Sequence, residues 1–123
     1  MLILGVSCYF HDSAAVLLKD GEIIYALQEE RFSRIKHDSN FPENSIKYIL
    51  KELNLTLDDI DFICYYEKPF LKFDRIIETA IDTFPWGFKL FSMSLPVWLK
   101  TKLFTKNEIT KSLKKIGLKK LKN

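Results

Sequence analysis

Three short apolar runs at the start of the chain constrain its fold more than any other feature. The runs cover residues 2–7, 13–19 and 22–28, and each has the length of a buried strand. Asp20 and Gly21 separate the second run from the third, and this dipeptide strongly favours a two-residue hairpin turn. The runs therefore predict an antiparallel β-meander with a polar turn at residues 11–13.

A helix and a fourth strand are predicted after the meander. Apolar residues recur at helical spacing after Pro42, and Ser39 or Asn40 is expected to cap the helix. Residues 60–66 (IDFICYY) read as the fourth strand. The order β-β-β-α-β predicts an α/β fold with a mixed sheet and a helix on one face.

The character of the chain changes after Pro69, where helical patterns replace strands. We predict a core at residues 1–68 and a helical extension at 69–123, which closes with a basic amphipathic helix at 108–121. The extension is rich in aromatic residues, namely Phe84, Trp86, Phe88, Phe91, Trp98 and Phe104. We interpret this stripe as core; in a chain without its full packing partner it would leave an exposed apolar patch.

Composition narrows the class of protein. With 47% apolar and 28% charged residues over 123 positions, the chain is expected to be one soluble domain or a piece of one. Its two cysteines lie in apolar runs and indicate neither a disulfide framework nor a zinc site, so a cytoplasmic location is expected. No signal peptide or membrane span is predicted. The basic tail lacks interleaved base-stacking aromatics, which argues against nucleic acid as a partner.

Two polar clusters flank the predicted hairpin. Residues 11–13 (His-Asp-Ser) precede it, and residues 31–37, with two arginines, a lysine and a histidine, follow it. Such residues fit poorly between apolar strands unless they bind something polar. The clusters suggest a site for an anionic or sugar-like ligand, and two solvated loops explain the spacing equally well.

His11 is the strongest candidate for chemistry in these clusters. A neutral imidazole can accept a proton from an attacking hydroxyl, although His11 could instead only close the turn. Asp12 could orient His11 or organise the turn through backbone bonds, and the second role is favoured. Glu29 and Glu30 are expected on opposite faces of a strand, so they would not share a proton. Arg31 could pair with either of them.

Longer blocks of the sequence resemble the carbamoyltransferase family, which includes nodulation-factor and antibiotic carbamoyltransferases. The blocks FHDSAA, DGEI, EERFSRIKHD and KPFLKFDR stand in family order, and the segment PWGFKLF...LPVWLKTKLF looks like their continuation. The resemblance therefore covers nearly the whole chain. Each block alone would be weak, but the combination is specific.

The resemblance implies a ribonuclease-H/actin-like ATPase half-lobe, related to tRNA threonylcarbamoyl-transferases, followed by aromatic-rich helices. The implied reaction is transfer of a carbamoyl group from carbamoyl phosphate to a hydroxyl of a small molecule or sugar, with ATP consumed and a carbamoyl-adenylate intermediate. It also implies an iron ion near the nucleotide phosphates. His11 would lie on the acceptor side as the catalytic base, and Lys36 and Asp12 would contact substrate, the Lys36 ammonium offsetting phosphate or carbamoyl-oxygen charge.

The family's enzymes run to several hundred residues, so this chain is expected to be an N-terminal fragment: a truncated gene, a split subunit or a partial sequence. His11 and His37 form no H-x-x-x-H pair, so no metal ligands are expected in this chain, and the isolated chain is expected to be inactive. The missing remainder could then be a partner as a separate chain. A non-catalytic module that docks a partner chain is the alternative function, and a nucleotide-binding domain without transfer activity is a third.

Overall fold

A four-stranded mixed sheet is the centre of the first of two units in the structure, a computed structural model that describes residues 1–66, 69–89, 91–93, 95–96 and 104–119. The strands are β1 (Leu2–Ser7), β2 (Ala14–Lys19), β3 (Glu22–Gln28) and β4 (Phe62–Tyr65). They lie in the order β3-β2-β1-β4, with β1, β2 and β3 antiparallel and β4 parallel to β1. The predicted α/β class with a mixed sheet is confirmed.

The turn between β2 and β3 has the geometry that its sequence predicts. Asp20 and Gly21 have φ angles of 53° and 91°, and two successive left-handed residues give the twist that matches a two-residue hairpin. The predicted bounds of β1 and β3 match the structure. The second strand begins at Ala14. The fourth is shortened to Phe62–Tyr65, since Ile60 ends the preceding 3-10 turn and Asp61 lies in a bend.

One face of the sheet packs against helices. The helices of this unit are α1 (Glu30–Ser33), α2 (Glu43–Glu52), the 3-10 turn Leu57–Asp59 and, from Ile109 onward, α4 (Thr105–Ile116); α3 (Pro69–Asp82) belongs to the second unit. Alternate residues of β1 and β2 meet the apolar stripe of α2, and each large side chain buried in this way stabilises the fold by about 1.5–3 kcal/mol. The buried residues of this core include Leu4, Val6, Ala15, Leu17, Ile46, Ile49 and Leu113.

A buried carboxylate caps α2. Glu29 is only 3% exposed, and its two oxygens accept four hydrogen bonds at 2.7–3.1 Å: from the backbone N–H and side-chain amide of Asn44, and from the backbone N–H and hydroxyl of Ser45. These bonds satisfy donors that the first turn of a helix leaves without intrahelical partners. The negative charge also suits the positive end of the helix dipole.

Two sequence predictions about this region were wrong. Neither Ser39 nor Asn40 caps α2; Pro42 occupies the N-cap position, and the amide of Asn40 bonds Asp38 instead. Glu29 does not alternate with its neighbour on a strand, because β3 ends at Gln28 and Glu29 already has helical dihedral angles.

The opposite face of the sheet carries small residues and an open cleft of about 370 Å³. Gly5 lies at the centre of this face, where an added Cβ would be 2.6 Å from Cγ1 of Val16 on the paired strand. A larger residue would collide with the side chain of β2, so glycine keeps the floor of the cleft flat. Its lining includes Gly5, Ala14, Val16, Ala26, Cys64 and Tyr66.

The second unit, Glu67–Glu108, contains α3 and the aromatic segment. Phe84, Trp86 and Phe88 are exposed, Trp86 at 91%, as expected for this stripe in a chain without its full packing partner; its role as core stays a prediction. Trp98 lies outside the described residues. No helix in the described ranges combines the length and apolarity that crossing a membrane requires.

The last helix contributes to the sheet unit from its middle onward. Ile109 and Leu113 of α4, together with Leu118, are buried in the core of that unit. The proposed division into a core at 1–68 and a helical extension at 69–123 stays a prediction.

Replacing Glu29 by Gln should lower the free energy of unfolding by about 3 kcal/mol, because the amide NH2 would face donors where an oxygen now accepts. Urea denaturation followed by circular dichroism measures the loss. Glu22→Gln, at the exposed start of β3, is the matched control and should change stability by less than about 0.5 kcal/mol. Equal losses in the two variants would contradict the capping role.

Candidate functional site

The two polar clusters lie on loops that meet in the structure. The first loop (residues 8–13) follows β1, and the second loop (residues 34–42) follows α1. The backbone N–H of Tyr9 donates to the carbonyl of Ser39 at 2.7 Å, and that of Ser13 donates to the carbonyl of Asp38 at 2.8 Å. The clusters on either side of the hairpin are therefore joined by main-chain hydrogen bonds.

Both loops contain residues with left-handed backbone conformations. The φ angles are 65° at Tyr9, 49° at Asp12, 60° at Arg34 and 55° at His37. A residue with a Cβ pays about 1 kcal/mol for this conformation, and such residues are concentrated at binding and catalytic sites. Within the described ranges, four of the six non-glycine residues with positive φ lie in these two loops.

Asp12 links the two histidines of the chain. Its Oδ2 lies 2.8 Å from Nδ1 of His11, and its Oδ1 lies 2.9 Å from Nδ1 of His37. Hydrogen bonding from His37, and then from His11, lowers the pKa of the Asp12 carboxyl below its ordinary value of 3.8. Asp12 is therefore a carboxylate at neutral pH, with each of its oxygens held by one imidazole.

The charge of Asp12 determines which nitrogen of each ring is the hydrogen-bond donor to it. An ionised carboxylate only accepts hydrogen bonds, so Nδ1 of His11 and Nδ1 of His37 must both donate. In a neutral imidazole the other nitrogen then carries a lone pair. In the neutral form of the ring, Nε2 of His11 is thus an acceptor, which is the state that a general base requires.

The two rings are open to solvent. The side chains of His11 and His37 are 60% and 62% exposed. The ring of Phe10 packs beside His11 with 4.4 Å between centroids, and it is also exposed. A small polar molecule could therefore reach the His11 ring from solvent and contact the apolar ring of Phe10 next to it.

Lys36 precedes His37 on the second loop and is exposed. Among the residues that the structure describes, its ammonium forms no ion pair or side-chain hydrogen bond. Neither Lys36 nor His11 lines the cleft on the sheet, so that cleft is not a pocket that these two residues share. The roles of His11, Asp12 and Lys36 toward substrate stay predictions.

The second loop is built around a buried carboxylate that the sequence interpretation missed. Asp38 is buried, and its Oδ1 accepts from the backbone N–H of Asn40 at 3.0 Å and from its side-chain amide at 2.8 Å. Hydrogen bonding from the Ser33 hydroxyl, and then from the Asn40 backbone, lowers the pKa of Asp38. The spacing Asp38-Ser39-Asn40 is typical of a turn closed by an aspartate side chain, and it is the signal that could have identified this role.

Among the described residues, Glu30 and Arg31, which precede the second loop, do not make the ion pairs that the sequence suggested. The backbone N–H of His37 donates to Oε2 of Glu30 at 3.3 Å. Arg31 pairs with neither Glu29 nor Glu30 in the described part of the chain, because Glu29 is turned inward to α2.

Ser13 is buried, and its backbone joins the first loop to the second loop and to the end of β3. Its N–H donates to the carbonyl of Asp38, and its carbonyl accepts from the N–H of Glu29 at 2.8 Å.

The described residues do not form a metal site. No group of three or more His, Cys, Asp or Glu side chains among them could hold a metal ion. His11, Asp12 and His37 come together, but the Nδ1 atoms of both rings are engaged by the carboxylate. The iron implied by the family resemblance therefore does not fit the donor set in this part of the chain.

Comparison with known proteins identifies relatives of this chain. The chain is 46% identical over 115 residues to an uncharacterized protein of Synechocystis sp., a match that covers 94% of this chain and 19% of that protein. It is 50% identical over 58 residues to the nodulation protein NolNO of Sinorhizobium fredii, covering 47% of this chain and 8% of NolNO. An uncharacterized protein of Methanocaldococcus jannaschii is 40% identical over 62 residues, which cover 50% of this chain and 12% of that protein.

These matches cover less than a fifth of the length of each of the three relatives. The family described as "Carbamoyltransferase N-terminus" matches residues 2–123. With its loops, sheet and helices inside that match, the chain belongs to the carbamoyltransferase N-terminus family.

Proposed function

We propose that this chain is the N-terminal region of an enzyme that transfers a carbamoyl group from carbamoyl phosphate, by way of ATP and carbamoyl-adenylate, to a hydroxyl of a small molecule or sugar. Family membership supports carbamoyl transfer in general. The observation that carries the finer proposal is the His11–Asp12 pair, with Nδ1 of the ring bonded to a carboxylate and the His11 side chain 60% exposed.

His11 acts as the general base in the proposed transfer step. The acceptor hydroxyl gives its proton to Nε2 of His11 while its oxygen forms a bond to the carbamoyl carbon. The bond from that carbon to the phosphate oxygen of the adenylate breaks, and its electron pair leaves with AMP. Asp12 stabilises the imidazolium that forms, as a carboxylate does in other histidine-carboxylate pairs.

Lys36 supplies charge in this proposal. Lys36 is exposed and directly precedes His37, the residue that bonds Asp12. A compact cation at this place can offset negative charge on the phosphate or on the carbamoyl oxygen as the transfer proceeds. The unpaired state of Lys36 among the described residues supports this role, because no carboxylate there competes for it.

Formation of the carbamoyl-adenylate belongs, in this proposal, to the part of the enzyme outside the 123 residues. This assignment is supported by the matched length, since the chain spans only 19% of the Synechocystis relative. We assign no step to iron, because the described residues offer no set of ligands for it. A truncated gene and a split subunit both agree with this proposal. Cys8 and Cys64 form no disulfide, which suits a reducing cytoplasm.

A second candidate function is docking of a partner chain without catalysis. The exposed Phe84, Trp86 and Phe88 favour it, because apolar patches on soluble proteins mark interaction sites. An adjacent reading frame that encodes the remainder of a carbamoyltransferase would favour the enzyme. A stable monomer in solution and no such frame would favour the docking module.

Replacing His11 by Asn in the complete enzyme should lower turnover by roughly 10²- to 10⁴-fold. The Asn amide can donate to Asp12 from the place of Nδ1 but has no atom at the place of Nε2, so the variant removes the base and retains the turn. Carbamoylated product is measured by mass spectrometry, with circular dichroism to check the fold. Unchanged turnover would remove the assignment of His11 as base.

Replacing Lys36 by Gln should lower turnover about 10- to 100-fold, because a neutral amide stabilises developing charge less than an ammonium does. Lys19→Gln, at the exposed end of β2, is the matched control and should retain the activity of the unchanged enzyme. Equal activity of the two variants would contradict the charge-stabilising role.

The 123-residue chain alone should form no carbamoylated product from ATP, carbamoyl phosphate and a panel of sugar acceptors. The reason is that the steps before transfer are assigned to the remainder of the enzyme. Addition of that remainder as a separate chain should restore product if the protein is a split subunit. Steady product formation by the 123-residue chain would overturn the fragment proposal.

A further inference from the structure

The Asp12 carboxylate is held from two different segments of the chain. His11 is its neighbour in sequence, so a bond between these two side chains does not by itself fix their orientation relative to the rest of the protein. His37 lies 25 residues away on the second loop and binds the other oxygen of Asp12 at 2.9 Å. The bond from His37 therefore links the carboxylate to a segment that is distant from it in sequence.

The position of His37 is itself well determined. The carbonyls of the next two residues, Asp38 and Ser39, accept hydrogen bonds from the first loop at 2.8 and 2.7 Å. The backbone N–H of His37 donates to Glu30, which lies in α1. The backbone that carries the imidazole is thus hydrogen-bonded to both the first loop and α1.

We propose that His37 is a positioning residue for His11: its Nδ1–H bond holds the Asp12 carboxylate in the orientation that keeps His11 in the Nδ1–H tautomer, with Nε2 free to take the acceptor's proton. This inference rests on the proposed role of His11 as base. His37 does not touch the reacting atoms and acts through Asp12.

A purely structural role for the His37 side chain would add little. The two loops are already joined by backbone hydrogen bonds from Tyr9 and Ser13. The His37 ring is 62% exposed, and exposed polar pairs contribute only tenths of a kcal/mol to stability. What the ring adds beyond the backbone bonds is control over the direction of the carboxylate.

Two substitutions at His37 separate the donor from the backbone. His37→Gly fits the φ angle of 55° without strain and removes the donor. His37→Asn also tolerates this left-handed conformation and places an amide N–H where Nδ1–H now lies. The glycine variant should therefore lose the positioning effect, and the asparagine variant should retain most of it.

The first experiment measures the tautomer in the 123-residue chain by ¹⁵N nuclear magnetic resonance of labelled histidine near neutral pH. His11 should show a protonated Nδ1 and an unprotonated Nε2. His37→Gly should move His11 toward the Nε2–H form, and His37→Asn should not. A tautomer of His11 that is the same in the unchanged chain and in His37→Gly would overturn the proposal.

The second experiment measures carbamoyl transfer by the complete enzyme. His37→Gly should lower kcat roughly 10- to 100-fold with little change in KM for the acceptor, because a misdirected base slows the transfer step more than binding. His37→Asn should restore most of kcat. A kcat for His37→Gly equal to that of the unchanged enzyme, while His11→Asn is inactive, would overturn the positioning role.

The two experiments distinguish failure of this inference from failure of the proposed function. If His37→Gly alters the His11 tautomer and His11→Asn retains full kcat, the positioning of the ring is supported and its role as base is rejected. If the tautomer is unaltered and His11→Asn is inactive, the base is supported and the role of His37 is rejected.

Discussion

The Glu29 carboxylate is the interaction on which the rest of the sheet unit depends. Its side chain accepts four hydrogen bonds from the first turn of α2, and its backbone N–H donates to the carbonyl of Ser13. One residue thus connects the end of β3, the start of α2 and the end of the first loop. A buried charge is costly unless each of its oxygens is satisfied, so these three segments keep their arrangement together.

The site is a consequence of that arrangement. Once β3, α2 and the first loop are joined, the second loop has a short path from α1 to Pro42 and lies beside the first. His11 and His37 then bond different oxygens of the same carboxylate. In the reaction that we propose, such a histidine would be oriented before the acceptor arrives, which lowers the cost of reaching a reactive geometry. This agrees with transferase chemistry in the family to which the chain belongs.

Local chemistry explains what the sequence could predict. The hairpin at Asp20-Gly21 and the apolar runs of β1 and β3 depend on neighbouring residues, and these elements were predicted within one residue. The carbamoyltransferase family was also identified correctly from short blocks of sequence. The cap by Glu29 was not predicted, because its partners lie 15 and 16 residues away and no periodic pattern relates them. The link from Asp12 to His37 spans 25 residues and was missed for the same reason.

The absence of glycine from the left-handed positions of both loops has a cost and a benefit. Tyr9, Asp12, Arg34 and His37 each store backbone strain that glycine would relieve. Side chains at these positions narrow the freedom of the unfolded chain and stiffen the folded loops. Replacing Tyr9 or Arg34 by glycine would therefore relieve backbone strain, but it would also make the loops around the imidazoles more flexible. A gain in melting temperature at these positions is a poor guide to a better enzyme.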